Sequence, residues 1–116
     1  MQTMTAVAKK MDISRKTSVD FRLSWKWNEG VRYGEDKLVT WTLESPAFRE
    51  PYTGCDVAVL FRAARLYLDS QYRGENRFAV VLTQTLKFPL FLIVDANEAL
   101  EKHFPGSQTE LVEEKP

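Results

Sequence analysis

The chain has 116 residues, 44% of them apolar, with 16 Lys and Arg against 16 Asp and Glu. This length supports one compact domain and excludes two, and the apolar share excludes a disordered chain. A formal net charge of zero excludes a dedicated duplex-DNA binder, whose affinity draws on an excess of cations.

The single cysteine, Cys55, rules out an intramolecular disulfide and a thiolate zinc centre. It fits a reducing, cytoplasmic setting. Residues 1–17 read as a flexible basic arm carrying Lys9, Lys10, Arg15 and Lys16, with no apolar stretch of signal-peptide length.

The first clear element is Val19 to Trp27. Val19, Phe21, Leu23, Trp25 and Trp27 alternate with Asp20, Arg22, Ser24 and Lys26. Successive strand side chains point to opposite faces, so one face meets a core and the other meets water. Asn28-Glu29-Gly30 and Gly34-Glu35-Asp36 are turn signals. Lys37 to Glu44 alternates again, with Val39, Trp41 and Leu43 on one side, and pairs most simply with the first strand as an antiparallel hairpin. Ser45 to Gly54, with Pro46 and Pro51, reads as a loop bearing Phe48 and Tyr52.

Asp56 to Tyr72 is the plainest helix. Thr53 or Asp56 can cap it, and Val57, Leu60, Phe61, Ala64 and Leu68 form a buried stripe. Phe78 to Leu86 is rich in β-branched residues and favours strand, although Phe78, Val81, Leu82, Thr85 and Leu86 also fit helical spacing. Leu90 to Val94 is expected to be a further strand, broken from the last near Pro89. The run Phe88 to Val94 is too short to span a membrane. Asp95-Ala96-Asn97-Glu98 matches a capping box and opens a short helix to Phe104.

The expected order is β-β-α-β-β-α. It describes an α+β domain over residues 18–106, with an antiparallel sheet of about four strands. The long helix crosses one face, a short helix follows, and residues 107–116 form a disordered acidic tail. Phe21, Leu23, Trp25, Val39, Trp41, Leu60, Phe61 and Ala64 are expected to share one core.

No pattern carries catalysis, so the chain is expected not to be an enzyme. Cys55 begins a helix, where thiols become more nucleophilic, but only His103 could serve it as a base, and the sequence does not bring the two together. His103 closes a helix, where the dipole favours its charged form. One histidine makes no metal site, the pairs Glu35-Asp36 and Glu113-Glu114 fall in turn and tail, and no cofactor is implied.

The leading functional expectation is a non-enzymatic protein-binding or regulatory module, such as an inhibitor, adaptor or accessory subunit. It would present an edge strand and aromatic side chains to another protein, or to a second copy of itself, away from membranes. The candidate interface comprises Trp27, Tyr33, Leu38, Thr40, Thr42, Phe48 and Tyr52. Leu38 to Leu43 is the candidate edge, because its middle carries no charge. The alternative is a nucleic-acid-binding module using Arg15, Lys16, Arg22 and Lys26, where basic and aromatic residues interleave.

Overall fold

Alternation in the first strand sets the architecture. In the computed structural model, which describes residues 17–30, 38–73, 77–85 and 89–112, β1 (Thr17–Trp27) buries Val19, Phe21 and Leu23 and exposes Ser18, Asp20, Arg22, Ser24 and Lys26. β2 (Val39–Glu44) lies antiparallel to it, with Leu23 opposite Leu43 and Trp25 opposite Trp41. Leu23 and Leu43, both buried, face each other across this ladder, while Val19 and Phe21 stand opposite residues of a later strand, and the buried side chains of the two strands share one apolar surface.

The remaining elements are β3 (Tyr52–Gly54), α1 (Val57–Gln71), β4 (Phe78–Thr85), α2 (Leu90–His103) and β5 (Gln108–Val112). The sheet order is β3-β2-β1-β4-β5. β3 pairs antiparallel with β2, whereas β4 runs parallel to β1, and β5 runs parallel to β4. Phe78, Val80 and Leu82 of β4 extend the same buried surface.

Asp56 caps α1: its Oδ1 accepts the Ala58 N–H at 3.0 Å. Val57, Leu60, Phe61, Ala64 and Leu68 then face the sheet, as the helical stripe requires. The centre of the core is aromatic. Phe21 meets Phe104 edge-on at 5.2 Å, Phe61 at 6.2 Å and Phe48 at 5.3 Å. Arg65 lies over the rings of Phe78 and Phe104, donates to the His103 carbonyl at 3.0 Å and pairs with Asp69 at 3.0 Å. It therefore ties α1 to the end of α2. Of the expected core group only Trp25 is half-buried, packed against the rest.

The α+β class stands, but the sheet is five-stranded and mixed rather than a four-stranded antiparallel one, and the order is β-β-β-α-β-α-β. Three segments account for the difference. Leu90 to Val94 is not a strand but the opening of α2, whose buried residues Leu92, Ala96, Ala99 and Leu100 follow helical spacing. Pro89 takes the N-cap place with φ −59° and accepts the N–H groups of Leu92 and Ile93. Proline suits a helix start because its fixed φ is already helical and its absent N–H is not missed. Asp95 and Glu98 consequently sit exposed inside the helix and do not cap it.

The second segment is Gln108 to Val112. It is no disordered tail but β5, reached from α2 through a turn at Gly106 with φ +81°. Parallel neighbours need a crossover longer than a tight turn, and α2 supplies it. The third is Tyr52 to Gly54, a short strand inside the expected loop; its pairing with Trp41 to Leu43 places β2 in the sheet interior rather than at an edge.

Candidate docking site

β5 is the least covered strand. Of its five residues only Thr109 is half-buried; Gln108, Glu110, Leu111 and Val112 are exposed. It is also terminal in the sheet, with β4 on one side and no strand on the other among the described residues. Its outer edge therefore presents backbone donors and acceptors to an incoming strand.

Side chains along the neighbouring helix enlarge this surface. Asn97 fixes how α2 lies on the sheet: its Oδ1 accepts from Thr109 Oγ1 at 3.0 Å and from Gln84 Nε2 at 3.4 Å. One and two turns back on that side of the helix stand Val94 and Leu90. α2 descends while β5 ascends, so stepping back along the helix matches stepping forward along the strand. Three helical residues rise about 4.5 Å and two strand residues about 6.6 Å, so Val94 and Leu111 lie toward the same end of the molecule from the Asn97–Thr109 contact. Leu90 is 74% exposed, Val94 45% and Leu111 43%; Phe91 is in helical register with Asp95 and Glu98 and belongs to the other side of the helix. Clustered apolar exposure of this kind marks an interaction surface more often than scattered single residues do.

The expected interface residues are dispersed. Trp27 is 48% exposed and meets Trp25 edge-on at 4.9 Å. Thr40 is half-buried, and its hydroxyl donates to Asn28 Oδ1 at 2.6 Å. Thr42 lies half-buried on the helix-free face, between Ser24 and Thr53. Leu38 packs at the core margin, as do Phe48 and Tyr52. The Phe48 ring contacts Tyr52 at 5.0 Å and Tyr67 at 6.3 Å. Burial, with Tyr67 and Glu50 nearby, raises the Tyr52 phenol above its ordinary value. Tyr33 lies outside the described residues, as do Arg15 and Lys16.

Arg22 and Lys26 are exposed on the helix-free face. Arg22 stands opposite Glu44 and two residues from Asp20. With Arg49 and Glu50 these line an open groove of about 600 Å³ below Pro46. Carboxylates outnumber guanidinium groups there, which disfavours a phosphate backbone.

A second groove, about 700 Å³, runs between the start of α1 and the outer side of α2. Cys55 lies in it and accepts a weak hydrogen bond from Asn28 Nδ2 at 3.8 Å. Asp95, Glu98 and Lys102 form the facing wall, and His103 is not part of the lining. Cys55 and His103 thus do not line the same groove. No group of three or more His, Cys, Asp or Glu suited to a metal occurs among the described residues. Among those residues no helix is long and apolar enough to cross a membrane.

The helix dipole does not decide the state of His103. Burial, followed by Lys102, Arg62 and Arg65, lowers its pKa below the ordinary value. The unfolded chain therefore takes up a proton at higher pH than the folded one. Stability from neutral His103 is complete above the unfolded value of about 6.5 and is lost as pH falls from there through the lower folded value. His103→Gln is expected to flatten the fall in melting temperature between about pH 7 and about pH 5; equal slopes in the two proteins would refute this assignment.

No family model, curated protein or solved structure matches this chain.

Proposed function

We propose that this chain is a small non-enzymatic protein-binding module that engages its partner along β5. The observation that carries this reading is the coincidence of a terminal strand exposed on both faces with the exposed Leu90 and Val94 on the adjoining helix. Main-chain pairing along such an edge supplies affinity, and alternate side chains supply specificity. Leu111 and the α2 side chains provide an apolar anchor on one face, and Glu110 a charge on the other. An interface built this way is defined by strand register rather than by a pocket, and neither open groove needs to take part.

Leu111→Arg tests the proposal. It places a charge on an exposed position, so the fold is expected to remain intact while association weakens. Cross-linking of the tagged chain in extract of its native host, followed by mass spectrometry, should recover a protein that the variant no longer recovers. Equal recovery by both chains, or recovery of nothing by either, would reject the β5 edge as the working surface.

A further inference from the structure

We propose that the partner at β5 is a second copy of this chain, joined edge to edge about a twofold axis so that the two sheets become one ten-stranded sheet. The inference rests on the binding role proposed for β5 and names its occupant.

The strand Gln108–Val112 is self-complementary when paired antiparallel about Leu111. Antiparallel pairing centred on Leu111 sets Leu111 against Leu111 of the other copy and Glu110 against Val112. Glu110, the one charged residue of the strand, then avoids its own counterpart. Centring on Glu110 instead would oppose two carboxylates, which is unfavourable. The axis in the favoured register is perpendicular to the sheet, so both helical layers fall on the same side. Leu90 and Val94 of each copy then approach the matching residues of the other across the paired Leu111 side chains. Such an isologous contact covers the apolar strip of both copies at once. The zero formal net charge adds no long-range repulsion between identical chains.

Sedimentation equilibrium of the full chain over a wide concentration range reads the proposal directly. The expected result is twice the 13.4 kDa chain mass, falling to the single-chain mass for Leu111→Arg and for Val94→Asp. Val59→Asp, on the outer side of α1, should leave the dimer intact. Circular dichroism melting of each variant separates lost association from lost folding. For the register, Leu111→Cys in a Cys55→Ser background should oxidise to a covalent dimer, since directly opposed strand residues lie within disulfide reach. Val59→Cys in the same background should not.

A dimer unaffected by Leu111→Arg would overturn the proposal. A monomer at every concentration that still captures a different protein through Leu111 would also overturn it while leaving the binding role standing. A monomer that captures nothing would remove both.

Discussion

Trp41→Ala is expected to lower the free energy of unfolding by about 3–5 kcal/mol. Trp41 is 3% exposed, lies opposite Trp25 in the hairpin and belongs to the continuous core shared by both helices and the sheet. Removing the indole leaves a space between the sheet and the helices, at the floor of the groove between α1 and α2. A domain of this size has only about 5–15 kcal/mol in total, so the urea midpoint should fall steeply. A midpoint within error of wild type would mean that Trp41 is not a central packing residue.

Gln84→Met is expected to act in the opposite sense and to stabilise the chain by about 1–2 kcal/mol. Gln84 is fully buried on the helix-covered side of β4, and its Oε1 has no hydrogen-bond partner among the described residues. Its Nε2 makes one long bond to Asn97 at 3.4 Å, and Asn97 keeps the Thr109 hydroxyl without it. Methionine is unbranched and similar in length, so it should fill the space without strain. A lower melting temperature for the variant would mean that the amide is fully satisfied in solution.

Much of the fold was legible because its strongest signals are periodic. β1, β2 and α1 show their buried faces by period alone, and β4 ends within one residue of its expected limit. What failed has physical causes. Leu90 to Val94 is a short apolar run, and only its continuation through Ala96, Ala99 and Leu100 reveals the helix. Pro89 is ambiguous because proline both breaks strands and begins helices. β5 was hidden because an edge strand exposed on both faces has no apolar alternation to display.

The docking surface was obscured for the same reason. The expectation of an exposed sheet edge rested on the uncharged middle of β2, but three residues from an apparent loop pair with its Trp41 to Leu43. Phe48 and Tyr52 read as surface aromatics because the sequence does not show that their loop folds back over Phe21 and Tyr67. Leu111 and Val112 lay within a segment whose acidic composition suggested solvent alone.

The central position of β1 bears on how the chain is made. β1 and β2 are near neighbours in sequence and can pair as soon as both leave the ribosome. The other edge of β1 must wait for Phe78 to Thr85, and at about 5–20 residues per second that delay lasts several seconds. Through this interval an eleven-residue strand offers an open ladder to any other nascent chain. Slow synthesis across Gly54 to Gln71 would prolong that exposure, so yield in an expression host should depend on translation speed there more than on the stability of the finished fold.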